Sequence, residues 1–239
     1  MADLSARPAD ARRLFAPIGP TYDRYARLLS LGQDPRWRRF LVSRIEAGPD
    51  DTVLDVATGT GAVAAELVRQ HSCSVVGIDQ SPEMLAAARE RVPTGVRLLE
   101  GRAEQLPFED GSFEALTFTY LLRYVDDPGA TLQELARVVR PGGTIVVSDL
   151  HPVMSVAGGQ ALFESVDGSL AFVREHVHLH GEYLDAFGAA GLEVVRCVEP
   201  RFGPDEAGMQ GMAAQFIPEA TQAAFAGLPG ALIWQLRRR

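Results

Sequence analysis

The feature that most constrains this chain is an apolar, strand-like run that leads into an acid and two glycines. Apart from Asp55, each residue of Thr52–Val56 is β-branched or apolar, and Gly59 and Gly61 follow within five residues. A sharp strand-to-helix turn needs positive φ at such glycines, and a missing side chain lets the backbone approach a ligand closely. The pattern predicts a nucleotide-cofactor loop at the end of a buried strand.

Asp55 distinguishes between two kinds of cofactor. Gly59-x-Gly61-x-x-Ala64 also fits the dinucleotide fingerprint, and Asp79 follows at about the distance of a ribose-binding carboxylate. A carboxylate would repel a pyrophosphate, whereas S-adenosyl-L-methionine (SAM) has no phosphate and carries an ammonium and a sulfonium. Asp55 therefore favours SAM. The alternatives are an NAD-dependent oxidoreductase and an Asp55 that only braces the loop.

The central part of the chain alternates between strand and helix patterns. From Thr52 to Leu150 this alternation predicts right-handed βαβ units in a mostly parallel, doubly wound α/β sheet. The strand Ser74–Asp79 ends on an acid, and Pro82 opens the next helix. Further on, Thr144–Asp149 is predicted as a strand, after a helix over Leu132–Val139 that is broken by residues 140–143.

Beyond Asp149 the pattern becomes mixed and then regular again. The alternating run Leu170–His178 is a candidate strand in a segment placed where ligands bind to open α/β sheets. A short helix is predicted over Glu182–Ala190, and Thr221–Phe225 is a further candidate helix. Strands over Leu192–Val198 and Ala231–Leu236 are expected to form an antiparallel hairpin at the sheet edge.

These motifs resemble those of a known enzyme family. Asp55-x-Ala57-x-Gly59-x-Gly61 is similar to the first motif of class I SAM-dependent methyltransferases, and the opening segment from Phe15 to Asp23 resembles the ubiquinone/menaquinone C-methyltransferases. The resemblance implies a Rossmann-like seven-stranded sheet in one domain over residues 1–239. Its expected parts are an N-terminal helical lid (1–45), a SAM-binding core (50–150), an acceptor-side insertion (151–180), and a C-terminal helix and strand hairpin (181–239).

The resemblance also implies a set of cofactor contacts: Tyr22, Asp55, Ala57, Gly59, Gly61, Asp79, Gln80, Met84, Arg102, Ala103, Glu104 and Thr119. Asp79 is expected beside the ribose hydroxyls. Tyr22, like Phe15 and Tyr25, is expected near the sulfonium, where an aromatic face attracts a cation, or else in ordinary helix packing. Arg102 stands where relatives often have an acid for the adenine amino group, and Arg accepts no hydrogen bond. Two alternatives follow: the backbone around Ala103 recognises adenine instead, or Arg102 simply points into solvent, and the second is favoured.

Two departures from the quinone-methylating group leave the acceptor open. Ala26 replaces an Asn of the opening segment, and Arg123-Tyr124 replaces an Arg-Asn pair after the fourth strand. Methylation at O, N or C is compatible with the same fold.

Four histidines are candidates for a general base: His151, His176, His178 and His180. Histidine titrates close to neutral pH, and alternate residues of a strand share a face. The alternative is a structural or surface role for each. His-x-His-x-His also suggests a metal, but without a patterned carboxylate or cysteine set nearby we predict no metal site.

Composition excludes several classes of function. A net charge of -8 and a pI of about 5.2 argue against nucleic acid as a partner. The longest apolar runs fall short of the ~20 residues that span a bilayer, and no signal region opens the chain, so no membrane insertion and a cytoplasmic location are expected. Cys73 and Cys197 are expected to be reduced.

The sequence as a whole predicts an enzyme that transfers a methyl group from SAM to a small apolar or aromatic acceptor. The alternative is a SAM-binding protein of the same fold that catalyses another reaction, such as a cyclisation.

Overall fold

A computed structural model describes residues 33–156, 161–164, 170–173, 177–207 and 216–239. All structural statements concern these residues. Tyr22, Phe15, Tyr25, Ala26, His176 and most of the predicted lid lie outside them.

Seven of the nine strands in the described residues form one sheet in the order β3-β2-β1-β4-β5-β9-β8. The first five are mutually parallel, and β9 runs antiparallel to both β5 and β8. Strands β6 and β7 form a separate antiparallel pair. The strands are β1 Thr52–Val56, β2 Ser74–Asp79, β3 Arg97–Glu100, β4 Phe113–Thr119, β5 Val139–Leu150, β6 Ala161–Glu164, β7 Leu170–Val173, β8 Leu192–Val198 and β9 Ala231–Arg238.

Helices connect the strands and cover the sheet. They are α1 Asp34–Val42, α2 Ala62–His71, α3 Pro82–Arg91, α4 Pro128–Val138, α5 Pro152–Val156, α6 His180–Ala189, α7 Pro204–Ala207 and α8 Pro218–Phe225, with a 3₁₀ turn at Leu122–Tyr124. Across the described ranges, every helix is too short or too polar to cross a membrane.

The predicted α/β fold is confirmed, including the antiparallel hairpin at the sheet edge. The order in which strands are added to the sheet reverses at β1: β2 and β3 lie on one side of it, whereas β4 and β5 lie on the other. Ligands of open α/β sheets bind outside the carboxyl ends of the strands at such a point. A ligand site is therefore expected at the carboxyl ends of β1, β2 and β4.

Some element bounds differ from the sequence prediction. Residues 140–143 do not separate a helix from a strand, because they already belong to β5, which starts at Val139 and pairs with Phe113. The register then shifts, and a Cβ on Gly143 would lie 2.6 Å from the Glu114 carbonyl oxygen. Helix α6 begins two residues early, at His180, because the Glu182 carboxylate accepts a hydrogen bond from the Leu179 amide.

Apolar side chains fill both faces of the sheet. On β1, Leu54 and Val56 join one buried cluster and Val53 joins the other, so neighbouring residues point to opposite layers. Each fully buried aliphatic side chain contributes about 1.5–3 kcal/mol. Burial on both faces explains why these strands read as continuous apolar runs rather than as an alternating pattern.

The turn into α2 depends on Gly61. Its φ is 75°, and a Cβ there would lie 2.7 Å from Cγ1 of Val92 and 3.1 Å from Cβ of Ala88. The glycine thus permits both the turn and the close approach of α3 to the loop.

We expect Gly61→Ala to destabilise the fold more than Gly142→Ala. Gly142 has a nearly equal φ of 77° but nothing within 4 Å of a Cβ, so it measures the backbone strain alone, about 1–2 kcal/mol. Overpacking against α3 should add about 1–3 kcal/mol at Gly61. Urea unfolding of both variants measures the difference in the free energy of unfolding. Equal losses of stability would show that α3 moves away from the new Cβ at no cost.

Candidate functional site

A cavity lies at the carboxyl ends of β1, β2 and β4, where the topology predicts a ligand. One wall is the loop between β1 and α2, and another is the segment after β4. The lining residues are Arg38, Ala57, Thr58, Gly59, Thr60, Ala62, Val63, Asp79, Gln80, Ser81, Met84, Gly101, Arg102, Ala103, Glu104, Thr119, Tyr120, Leu121, Tyr124 and Val125.

Most of the predicted cofactor contacts that the structure describes line this cavity. Ala57 and Gly59 line it from the glycine loop, with φ of 52° and 55°. Gly61 caps α2 and is not among the lining residues. The left-handed conformation of Ala57 is a sparsely populated state for a residue with a Cβ, and such states cluster at ligand sites.

Asp79 joins the loop to the end of β2. Its Oδ2 accepts a hydrogen bond from the Gly59 amide at 2.8 Å, and its Oδ1 accepts one from the Ser81 amide at 2.9 Å. Burial raises the pKa of Asp79, while these bonds oppose the rise. A carboxylate has about four lone-pair positions, so acceptor capacity is left for hydroxyl groups in the cavity.

Asp55 lies beneath the loop, with 1% of its surface exposed, and does not line the cavity. Thr58 Oγ1 donates to Asp55 Oδ2 at 2.6 Å, and Thr58 does line the cavity. Burial raises the pKa of Asp55 to about 7, against the opposing effects of the Thr58 bond and the Arg38 charge. Asp55 is therefore linked to the cavity through its hydrogen bond with Thr58.

The segment expected at adenine, around Ala103, also lines the cavity. Ala103 is buried, whereas the Arg102 side chain is 56% exposed and its Nη2 donates to Glu104 Oε1 at 3.0 Å. Arg102 thus lines the rim of the cavity and also reaches solvent. Gln80, Met84 and Thr119 complete the predicted contacts that lie here.

The sequence reasoning missed an aromatic and apolar wall made of Tyr120, Leu121, Tyr124 and Val125. Tyr120 has a φ of 56° at the end of β4. Apart from Tyr124, which the sequence analysis noted as a departure from the quinone-methylating group, the available signal was position, because these residues follow a strand at its carboxyl end. The aromatic rings expected near the sulfonium came instead from the N-terminal segment, outside the described residues.

Arg38 was missed as well. It comes from α1, lines the cavity, and its Nη2 bonds to Asp34 Oδ2 at 2.5 Å.

A buried polar network supports this wall. Arg123 Nε donates to Asp149 Oδ1 at 2.7 Å, and the Tyr183 hydroxyl donates to Asp149 Oδ2 at 3.0 Å. The Arg123 guanidinium also lies 5.8 Å from the centre of the Tyr120 ring. Burial and the Asp149 charge raise the pKa of Tyr183, so its hydroxyl keeps the proton that it donates.

The three predicted catalytic histidines within the described residues do not line the cavity. His151 Nε2 and His180 Nε2 both bond to Glu199 Oε1, at 3.0 and 2.9 Å. The centre of the His178 ring lies 5.9 Å from the centre of the Tyr183 ring. Glu199, which the sequence reasoning did not single out, thus joins two of these histidines.

The ubiE/COQ5 methyltransferase family matches residues 4–164, more than half of the chain. The chain belongs to the ubiE/COQ5 methyltransferase family. The predicted resemblance is confirmed, and SAM as the cofactor agrees with this family of methyltransferases. A similar relative is the ubiquinone/menaquinone biosynthesis C-methyltransferase UbiE of Geobacter sp. (strain M21), 44% identical over 154 residues. That alignment covers 62% of this chain and 66% of the relative, just under two thirds of its length.

Solved structures agree with this fold. A methyltransferase chain in complex with the Haloferax volcanii Trm112 methyltransferase activator has a TM-score of 0.68 at 24% identity, covering 93% of this chain and 96% of that one. The [4+2]-cyclase SpnF has a TM-score of 0.62 at 25% identity, covering 85% of this chain and 81% of that one. The fold thus occurs in a methyltransferase and in a cyclase.

The buried Asp55 makes stability depend on pH. Its pKa is about 7 in the folded chain against an ordinary value of 3.8. The stabilisation of the folded chain by the protonated Asp55 is therefore complete below pH 4 and is lost as pH rises through 7. We expect Asp55→Asn to gain stability relative to the parent between pH 5 and 7, by up to about 1.4 kcal/mol per pH unit. Thermal unfolding across this range measures the effect. Asp50→Asn, at an exposed site, is the control, and a pH-independent difference would contradict the account.

Removing Arg123 should destabilise the fold strongly. Arg123→Met leaves the Asp149 carboxylate buried without its ion-pair partner, which costs about 3–5 kcal/mol in comparable cases. The double variant Arg123→Met/Asp149→Asn should recover at least half of that loss, because the amide oxygen still accepts from Tyr183. Urea unfolding of the parent and both variants tests this, and a double variant as unstable as the single one would argue against an electrostatic cause.

Proposed function

We propose that this protein transfers a methyl group from SAM to a small aromatic acceptor of the quinol type. One observation carries the proposal. The Asp79 carboxylate at the end of β2 and an aromatic and apolar wall after β4 lie on the two sides of β1 and its glycine loop, and all of them line the cavity. The first side suits a nucleoside, and the second suits a flat apolar acceptor beside it.

The charges around the cavity support one orientation of SAM. The ribose hydroxyls would meet Asp79, and the adenine would lie near Ala103. The methionine end carries both an ammonium and a carboxylate, and the loop side offers the Asp55 carboxylate beneath Thr58 and the Arg38 guanidinium. Opposite charges placed in this way compensate the desolvation of the ligand.

The nature of the wall supports an aromatic acceptor. Tyr120, Leu121 and Tyr124 present rings and aliphatic groups, and ring stacking favours flat, apolar molecules. The UbiE relative is named for ubiquinone and menaquinone biosynthesis. Tyr124, one of the departures from the quinone-methylating group, lies in this wall, so we propose that it alters which ring system is accepted.

Proximity and exclusion of water supply most of the catalysis in this proposal. The sulfonium loses its charge during the displacement, so the enzyme aligns the acceptor with the methyl group and removes solvent. A carbon acceptor on a quinol also has to lose a proton. A histidine base among His151, His176, His178 and His180 stays a prediction, as does the N-terminal lid over residues 1–45. Loss of the base should cost roughly 10²–10⁴ in rate.

The alternative is a SAM-binding enzyme that transfers no methyl group. The likeness to the [4+2]-cyclase SpnF favours keeping this candidate. Such an enzyme would bind SAM without consuming it.

Asp79→Ala should weaken SAM, S-adenosylhomocysteine and 5′-methylthioadenosine by a similar factor of at least tenfold. All three ligands share the ribose, and only the first two carry the amino-acid end. Titration calorimetry provides the affinities, with Asp50→Ala, an exposed acid, as the control. A loss confined to the two ligands with the amino-acid end would place Asp79 at the wrong part of the molecule.

Methyl transfer itself is tested by incubation with SAM and a panel of quinols, phenols and amines. We expect S-adenosylhomocysteine to form in step with a methylated quinol, as read by mass spectrometry. Formation with none of the acceptors, while SAM still binds tightly, would favour the alternative. No binding of SAM would refute both.

A further inference from the structure

Three side chains from separate parts of the sequence meet outside the cofactor cavity. The two histidine Nε2 atoms and one carboxylate oxygen of His151, His180 and Glu199 lie within 4.8 Å of one another. The side chain of His151 is 10% exposed, that of His180 is 40% exposed and that of Glu199 is 38% exposed. The cluster is anchored on one side and open to solvent on the other.

The elements that carry these side chains are held firmly. His151 directly follows β5, His180 opens α6, and Glu199 directly follows β8. Strands β5 and β8 both pair with β9 in the main sheet. The His180 ring also packs at 5.9 Å from the Trp234 ring of β9. The three residues are therefore attached at the ends of regular elements that pack in or on the main sheet.

We propose that His151, His180 and Glu199 bind a divalent transition-metal cation of the zinc type. Two imidazole nitrogens and one carboxylate oxygen are a donor set that Zn²⁺ takes in proteins, with a further coordination position left for water. None of the three residues lines the cofactor cavity, so the proposed metal site lies outside that cavity. The sequence reasoning predicted no metal because it found no carboxylate near the histidines, and Glu199 supplies one from the far strand.

Such a site would fasten the two ends of one segment. His151 stands at the start of the predicted insertion over residues 151–180 and His180 at its end. A cation held by both, and by Glu199 from the sheet, would tie the ends together independently of what the segment contains. The bound metal would stabilise the folded chain by mass action.

The affinity for the cation depends on which ring nitrogen of His151 carries the proton. The Val153 amide donates to His151 Nδ1 at 3.2 Å, so the neutral ring carries its proton on Nε2 and donates it to Glu199. A metal on Nε2 needs that proton on Nδ1, which removes the Val153 contact. Each histidine Nε2 now lies 2.9–3.0 Å from Glu199 Oε1. Metal–ligand bonds of about 2.0–2.2 Å require these nitrogen and oxygen atoms to move apart to about 3.3 Å. Both changes are small, and we expect micromolar affinity.

The test is titration of the untagged, chelator-treated full chain with ZnCl₂ by calorimetry. We expect one Zn²⁺ per chain with micromolar affinity, and a higher unfolding temperature in its presence. His180→Gln and Glu199→Gln should each weaken binding at least thirtyfold. Both side chains are part-exposed, so these variants should fold, which their unfolding transitions in chelator would check.

The matched control is His71→Gln, which removes a histidine bonded to the Val42 carbonyl oxygen, away from the cluster. This variant should bind Zn²⁺ like the parent. SAM should leave the Zn²⁺ affinity unchanged, because the two sites are separate. Absence of a micromolar site in the parent, or equal binding by the parent and the Glu199 and His180 variants, would overturn the proposal. Competition between SAM and Zn²⁺ would overturn the separation of the sites.

Discussion

The hydrogen bond from the Gly59 amide to the Asp79 carboxylate is the contact on which the site depends. It ties the loop after β1 to the end of β2, 20 residues further along the chain. A second bond, from Thr58 to Asp55, fixes the same loop from below. The buried Asp55 and the half-buried Asp79 thus hold a loop that lies outside regular secondary structure, and burial raises the pKa of both. A nearby cationic group favours the charged form of such carboxyl groups, so both acids would attract a cationic ligand.

Much of the fold was predictable because it follows from local patterns. The apolar runs of β1 and β2, the proline at the start of α3 and the glycines of the first loop each restrict the backbone on their own. The bounds at Val139 and His180 were missed for a physical reason. One depends on strand pairing with Phe113, and the other depends on a side-chain contact with the Leu179 amide.

The predicted cofactor side of the site agrees with the cavity better than the acceptor side does. The loop, Asp79 and the segment at Ala103 are consecutive motifs whose spacing is visible in the sequence. The Arg123–Asp149 pair, the wall at Tyr120 and the meeting of Glu199 with two histidines join residues far apart in sequence. Such contacts are set by tertiary geometry, so pattern reasoning had no access to them. The histidines illustrate the point, since their alternation suggested one face while the structure turns His180 to Glu199 and His178 to Tyr183.

A crystal structure of the chain with S-adenosylhomocysteine tests the central claim most directly. The account predicts the ligand in the cavity at the carboxyl ends of β1, β2 and β4, with both ribose hydroxyls within hydrogen-bond distance of Asp79. The sulfur atom should face Tyr120 and Tyr124, and the carboxylate should lie on the Arg38 side of the loop. A ligand bound elsewhere, or bound with its ribose away from Asp79, would contradict the account.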